Sequence, residues 1–352
     1  MRRIGVLALC WLLVITAAHL VLNVNWSVMM NDRLPEAKRK LYVAYIPVTC
    51  HLACPVTDYI SAYSKSGHLF IPRLFQGFPE IKEALMSNKM QAAFMVAPMA
   101  VALRAQGVPI KIVYLGHRYG SAVVVQKSGP IHTVRDLRGK VIAIPSRFSD
   151  ERLILFRALA ANGMSGKDVR MVEMAPADVP GALAAGAVDA FSMGEPFPSQ
   201  AEMGNFGRIL FPARDYWPDY ISCVLVVRQD VIDKRPEAVQ ELVDGIARSG
   251  MWLEDGERRR AHRVAAADFV GRYYYRQNPA LLRWALLKPI DRVTYEPLSP
   301  RRNDFDLIVS LMVSTGVLDK PIPFEEFVDT RFAEGAASAT PWKYEAGEAR
   351  AE

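Results

Sequence analysis

The sequence predicts an α/β protein of two similar lobes that face each other across a cleft. The segment 84–98 ends a helix, turns at Asn88 and enters a short buried strand, and the segment 182–196 does the same around Gly186. The strand starts at 43–47 and 141–145 share the same offset of 98 residues. Two such units in one chain imply two lobes with a ligand cleft between them.

The repeat also predicts which positions are equivalent in the two lobes. Pro47 should superpose on Pro145, and Pro98 should superpose on Pro196. The alternative is that any two units of strand, helix and strand look alike without a pseudo-twofold axis between them. The shared offset at both ends of the unit favours the true repeat.

Length and composition restrict the class of protein. The chain has 352 residues, enough for two domains of ordinary size, and its 51% hydrophobic and 23% charged residues are typical of a globular protein. The net charge is +6, and its small basic clusters at 258–260 and 301–302 lack interleaved aromatic residues, so we expect no nucleic-acid partner. Four cysteines are too few for a disulfide scaffold.

The first 28 residues predict a signal peptide or a membrane anchor. Two arginines precede an apolar run over residues 4–24, and the positive charge places the N-terminus in the cytoplasm and the rest of the chain outside. A cleavable signal would have a shorter core, so the length of the run favours an uncleaved anchor in the inner membrane. The polar residues 29–40 are expected to form a tether.

Short apolar runs alternate with helical patterns in the rest of the chain. Strands are predicted at 41–47, 70–75, 90–96, 110–115, 122–125, 141–145, 169–174, 188–193, 209–211 and 221–227. Helices are predicted at 55–64, 80–87, 99–105, 150–162 and 179–185, within 235–313, and at 304–316. Residues 331–352 are rich in alanine, glutamate and glycine, and we expect them to be disordered.

Four segments occur in an order that resembles a known family. They are the strand and loop over 41–55, the segment 84–98, the phrase Asp-Leu-Arg-Gly-Lys-Val-Ile-Ala-Ile-Pro over 136–145, and the segment 186–196. Together they resemble the solute-binding proteins of ABC importers for nitrate, bicarbonate, taurine, sulfonates and thiamine-precursor pyrimidines. The resemblance covers residues 41–329.

The resemblance implies a type II periplasmic-binding-protein fold preceded by the N-terminal apolar helix. Two crossover strands, near 121–125 and 222–227, would join the lobes. Lobe 1 would comprise 41–125 and 222–330, and lobe 2 would comprise 126–221. The resemblance also implies a periplasmic, monomeric protein without a cofactor, which captures a small solute for an ABC permease of the inner membrane and does not act as an enzyme.

Ligands of such lobes bind outside the carboxyl ends of the strands. Ser146 and Ser149 precede a helix whose free amides favour an anion, and Arg147 suits a bidentate contact to one. Glu195 would accept hydrogen bonds from a ligand, or pair with Arg118 or His117. The candidate ligand-binding residues are Thr49, Cys50, His51, Pro98, Met99, His117, Arg118, Ser146, Arg147, Phe148, Ser149 and Glu195, with an apolar lining of Phe94, Met99, Phe148 and Met193. We expect a small polar solute, anionic or zwitterionic.

The loop residues Cys50, His51 and Cys54 leave three interpretations open. They are weak candidates for a metal site, to which Cys223 would add a ligand. A disulfide between two cysteines is equally compatible with an oxidising compartment, and free thiols are the third possibility. The metal reading supports an alternative function, an enzyme similar to the thiamine pyrimidine synthases. Because the chain lacks Ser-His-Asp, Walker and GxGxxG patterns, we expect binding without catalysis.

Overall fold

The computed structural model describes residues 2–23, 26–64 and 67–344. The chain divides into two units, one ending at Lys40 and the other beginning at Leu41. The first unit contains helices α1 (Arg2–Asn23) and α2 (Trp26–Arg33) and a helical turn at Glu36–Lys38. Much of the expected tether is therefore helical.

Helix α1 has the properties of a membrane segment. Among the described residues, it is the helix long and apolar enough to cross a membrane, over Gly5–Asn23. Its large apolar side chains are exposed, with Trp11 at 67%. A signal peptide and an anchor share these properties, so the helix fits both.

The second unit alternates strands and helices. Its strands are β1 (Tyr42–Tyr45), β2 (Ile71–Leu74), β3 (Ala92–Val96), β4 (Ile110–Leu115), β5 (Arg118–Tyr119), β6 (Ser121–Gln126), β7 (Val141–Ile144), β8 (Arg170–Glu173), β9 (Ala190–Gly194), β10 (Gly207–Pro212), β11 (Cys223–Arg228) and β12 (Val293–Thr294). Its helices are α3 (Ala53–Ala62), α4 (Phe78–Met86), α5 (Ala97–Ala105), α6 (Asp150–Ala161), α7 (Val179–Ala184), α8 (Phe197–Met203), α9 (Gln229–Lys234), α10 (Pro236–Leu253), α11 (Arg259–Phe269), α12 (Pro279–Leu287), α13 (Arg302–Ser314), α14 (Phe324–Phe327) and α15 (Arg331–Gly335).

Two five-stranded sheets form the two lobes. The strand order is β2-β1-β3-β11-β4 in the first sheet and β8-β7-β9-β6-β10 in the second. Strand β6 follows β4 but belongs to the second sheet, and β11 follows β10 but belongs to the first, so these two strands are the crossovers. The predicted two-lobed α/β fold is confirmed. Because β6 pairs with β9 and β10, residues 121–125 lie in the second sheet and not in the first lobe, where we expected them.

The internal repeat is present, with a slip of one residue. Val43 pairs with Ala92 and Ile142 pairs with Ala190, so the first strands of the two lobes are 99 residues apart and the third strands 98. By this register Pro47 corresponds to Ser146, one residue beyond Pro145. The turn before the third strand keeps the predicted offset of 98, because Asn88 (φ 57°) and Gly186 (φ 72°) both have left-handed backbones.

The C-terminal segment corrects a sequence-based expectation. Residues 331–344 are ordered, and the aromatic side chains of Phe332, Trp342 and Tyr344 are buried. The indole of Trp342 donates to Ser249 Oγ on α10 (3.0 Å). The prediction of disorder followed the alanine-rich composition of the segment and did not weigh its aromatic residues. Burial of these apolar side chains stabilises the segment on the folded protein. Residues 345–352 lie outside the described residues.

Candidate functional site

Loops from both lobes meet at Thr49. Its amide donates to the Glu195 carbonyl across the lobes (3.0 Å), and its hydroxyl donates to the same oxygen (3.2 Å). Because the hydroxyl proton is used in this way, Nε2–H of His117 donates to Thr49 Oγ1 (3.0 Å), which leaves the buried Nδ1 of His117 as an acceptor without a partner. Burial lowers the pKa of His117 to about 4, so the ring is neutral near pH 7.

Two carboxyl groups at the start of α6 are buried at the same junction. Ser149 caps the helix by accepting from the amide of Arg152 (3.4 Å). Both carboxylate oxygens of Asp150 and one of Glu151 are buried without a hydrogen-bond partner. Burial raises the pKa of Asp150 well above its ordinary value, and burial raises that of Glu151 from 4.5 to about 7. The junction therefore holds two carboxyl groups whose negative charge would be poorly compensated by neighbouring groups.

Residues at the ends of the crossovers hold Glu151 in place. Ser121, the first residue of β6, donates to Glu151 Oε1 (3.1 Å) and lies 3.0 Å from the hydroxyl of Tyr220. Ser192 of β9 donates to the Glu151 carbonyl (3.0 Å). Because crossovers connect the two lobes, any motion of the lobes acts on these contacts.

A cysteine pair lies beside this network. The sulfurs of Cys50 and Cys223 are 2.7 Å apart, and a ring nitrogen of His51 lies with them in a group whose ligand atoms are within 4.8 Å of one another. Burial opposes charge on Cys50, but the hydrogen bond from Cys223 and the neighbouring histidines outweigh it, so the pKa of Cys50 falls well below its usual value. Burial raises the pKa of Cys223 well above the usual value of a cysteine thiol.

The structure changes the proposed metal set. Cys223, the expected further ligand, lies with Cys50 and His51, whereas Cys54 is buried in α3 outside this group. Nδ1 of His51 accepts from the amide of Ile46 (2.9 Å), so Nε2 carries the proton of the neutral ring. A protonated Nε2 is a hydrogen-bond donor and not a metal ligand.

Two predicted ligand-binding residues have structural partners instead. Arg118 is buried, and its guanidinium donates to Asp304 Oδ2 (2.7 Å) and to the carbonyls of Pro297 and Asp219 (3.0 and 3.2 Å). Glu195 Oε1 accepts from Arg292 (2.7 Å). Burial nevertheless raises the pKa of Glu195, with Arg292 opposing the shift.

The remaining candidate residues differ in how accessible they are. Arg147 is exposed, and its guanidinium lies over the ring of Phe148 at 4.8 Å. Ser146 Oγ accepts from the amide of Phe148 (3.1 Å). Pro98 and Met99 are buried in the first turn of α5. Of the expected apolar lining, Phe94 packs in the core against His51 with ring centroids 5.5 Å apart, and Met193 is also buried.

A cavity of about 210 Å³ lies beside the start of the crossover strand β6, next to Glu195. Its lining includes Ser121, Glu195, Arg214, Asp291 and Arg292. Pockets for drug-sized ligands usually exceed about 300 Å³, so this space suits a small solute.

Comparison with known proteins assigns the family. The model of the NMT1-like family matches residues 34–269, which is more than half of the chain. The chain belongs to the NMT1-like family. Among curated relatives, the nitrate import ATP-binding protein NrtC of Synechocystis sp. is 26% identical over 208 residues, covering 54% of this chain and 30% of that protein. The putative aliphatic sulfonates-binding protein of Escherichia coli K12 is 31% identical over 115 residues, covering 32% and 36%.

Solved structures agree on the fold of this NMT1-like protein. The ligand-binding component of an ABC-type import system from Staphylococcus aureus, solved with zinc bound, superposes with a TM-score of 0.75 at 22% identity. The match covers 84% of this chain and 98% of that one. The chain spans about a third of the length of the two curated relatives.

Several site residues of this NMT1-like chain were missed from the sequence. The sequence pattern marks Asp150 and Glu151 only as the first residues of a predicted helix, although their place after β7 is a usable signal. Tyr220 and Ser121 carry no motif, but both adjoin the predicted crossovers. Arg292 is 97 residues from Glu195, and nothing in the sequence links the two.

Proposed function

We propose that this protein is an extracytoplasmic substrate-binding protein, which captures a small polar solute between its lobes and delivers it to an ABC permease. The observation that carries the proposal is the junction of the lobes. There, the buried polar atoms of Asp150, Glu151 and His117 lack partners in a fold that closes around ligands. Leaving buried polar atoms unpaired is costly, so a bound solute that satisfies them stabilises the closed form.

The charges favour a zwitterion among the expected solutes. Asp150 and Glu151 suit an ammonium group or another donor, whereas Arg147 stays accessible for an acidic end. Arg118 and Arg292 already pair with Asp304 and Glu195. A solute with both an amine and a sulfonate or carboxylate therefore matches the site better than a simple anion.

We further propose that the solute is bound without turnover by a monomer held outside the cytoplasm by α1. The apolar helix supports the location, and the His51 ring, whose Nδ1 accepts from Ile46, argues against the metal-dependent enzyme. The sulfonate-binding relative supports capture over catalysis.

Calorimetry on the full-length chain in detergent tests the proposal. The panel is taurine, an alkyl sulfonate without the amine, nitrate and bicarbonate, and we expect taurine to bind most tightly. Arg147→Ala should remove a charge-assisted contact worth about 1.5–3 kcal/mol, which is about ten- to a hundredfold in affinity.

Arg170→Ala is the matched control, because Arg170 is equally exposed but begins β8 at the opposite end of the sheet. Equal losses in both variants would remove Arg147 from the site. Preference for the simple anions would contradict the zwitterion, and consumption of the bound solute would overturn the binding-protein function.

A further inference from the structure

Cys50 and Cys223 come together from distant parts of the chain. They are 173 residues apart in sequence, yet their sulfurs are 2.7 Å apart and both residues are buried. Cys50 lies in the turn after β1, and Cys223 begins the crossover strand β11. Both elements border the junction of the lobes.

Gly116 holds the two main chains close. Its amide donates to the Cys223 carbonyl (2.7 Å), and a Cβ at this position would lie 2.2 Å from the Cys50 carbonyl oxygen and 3.2 Å from that of Cys223. The two cysteine main chains therefore flank one glycine. This closeness is what a disulfide requires, since it tolerates only a short separation of the two backbones.

We infer that Cys50 and Cys223 are a redox-active pair, which forms an intramolecular disulfide at the base of the cleft by exchange with a disulfide oxidant. The Cys50 thiolate attacks one sulfur of the oxidant and expels the other as a thiolate. Cys223 loses its proton to that leaving thiolate and attacks Cys50 of the mixed disulfide, which expels the second thiolate. The second thiolate takes up the proton that Cys50 released when it formed its thiolate, so two protein thiols are oxidised and one disulfide is reduced to two thiols.

The different surroundings of the two cysteines identify Cys50 as the attacking thiolate and Cys223 as the resolving thiol. A ring nitrogen of His51 lies in the same buried group, and the neighbouring histidines and Cys223 favour a thiolate on Cys50, while burial keeps Cys223 a thiol. A low-pKa cysteine beside a resolving thiol is the arrangement that supports exchange. Access requires the lobes to move apart, because Cys50 is only 6% exposed.

A metal ion fits the group less well. In a tetrahedral zinc site with zinc–sulfur bonds of about 2.3 Å, two sulfurs lie about 3.8 Å apart. The observed 2.7 Å is shorter, and the tautomer of His51 withholds the third ligand. The disulfide is therefore the better assignment.

Thiol counting on the full-length chain tests the pair independently of solute binding. The reduced protein in detergent is incubated with oxidised glutathione, quenched in acid, unfolded and alkylated with N-ethylmaleimide. Mass spectrometry should find two of the four cysteines alkylated and a peptide that links Cys50 to Cys223. Cys223→Ser should lose the link and retain glutathione on Cys50, because no resolving thiol remains.

Cys54→Ser is the control, since Cys54 is buried nearby but outside the pair, and it should keep the link. Four alkylated cysteines after oxidation, or a link through Cys54, would overturn the assignment. Stoichiometric zinc in the reduced protein that protects both cysteines would overturn it in favour of a metal site. Normal taurine binding in any of these cases would leave the proposed function standing.

Discussion

At the residue scale, two effects compete at the start of α6. The helix N-terminus stabilises a negative charge by about 0.3–1 kcal/mol, and by about 2 kcal/mol at most. The rise in the pKa of Glu151 from 4.5 to about 7 corresponds to a net cost of charging of about 3 kcal/mol. Burial therefore outweighs the helix dipole, and the site holds a carboxyl group that is poised near neutrality.

This carboxyl group predicts a pH dependence of stability. Because the folded pKa of Glu151 is raised, the folded protein binds more protons than the unfolded one between pH 4.5 and about 7. Glu151 therefore makes the free energy of unfolding fall as the pH rises through that window, by up to a few kcal/mol, whereas His117, whose folded pKa is lowered to about 4, makes it rise up to about pH 6.5. Glu151→Gln removes the first contribution, so its stability should rise more steeply with pH than that of the wild type.

Urea unfolding at a series of pH values measures this slope. Glu237→Gln removes an exposed carboxyl from α10 and should leave the slope of the wild type unchanged. A slope in Glu151→Gln equal to that of the wild type between pH 4.5 and 7 would contradict the buried, raised pKa of Glu151.

At the element scale, the turn after β4 depends on a missing side chain. Gly116 lies where three segments converge, namely its own turn, the turn after β1 and the start of β11. Main-chain atoms surround it, and they cannot move aside as a flexible side chain does. The close packing of these elements therefore requires glycine here.

Gly116→Ala should lower the free energy of unfolding by about 1–3 kcal/mol, because the added methyl group meets a carbonyl oxygen at 2.2 Å. Gly181→Ala is the matched comparison. Its Cβ would meet nothing within 4 Å, so in helix α7 it should stabilise by about 0.5–1 kcal/mol. Denaturant unfolding of both variants should give shifts of opposite sign, and shifts of the same sign would refute the packing argument.

At the scale of the whole molecule, hydrogen bonds and ion pairs join the two lobes, among them the pair between Arg292 and Glu195. Thr49 of the first lobe bonds to Glu195 of the second, and Arg152 of α6 donates to the Thr315 carbonyl beyond α13 (3.4 Å). Each bond is worth only about 0.5–1.5 kcal/mol, so loss of one shifts the balance between open and closed forms without unfolding either lobe.

Thr49→Val should therefore open the solute-free protein. Spin labels at Ser87→Cys and Lys167→Cys, both exposed and on different lobes, report the distance in a background in which Cys10, Cys50 and Cys223 are replaced by serine. We expect a larger population of long distances in Thr49→Val, and no change in Thr340→Val, an exposed control. An unchanged distribution in Thr49→Val would show that this contact does not govern closure.

The sequence by itself determined the architecture. Alternating apolar strands and helices fixed the elements to within a few residues, as at β4 and α6, because each element's burial pattern is local. The constant offset identified two lobes. The rule that parallel strands carry ligands at their carboxyl ends located Thr49, His117 and the 146–149 loop at the junction.

The partners of the side chains at the junction could be identified from the tertiary structure alone. Arg118 meets Asp304 across 186 residues, Glu195 meets Arg292 across 97, and Cys50 meets Cys223 across 173. Whether a charge is paired, buried or free depends on which distant segment folds over it. The buried acids at 150 and 151 could not be recognised for the same reason, because the cost of charging them arises from desolvation in the folded protein, which the local sequence does not show.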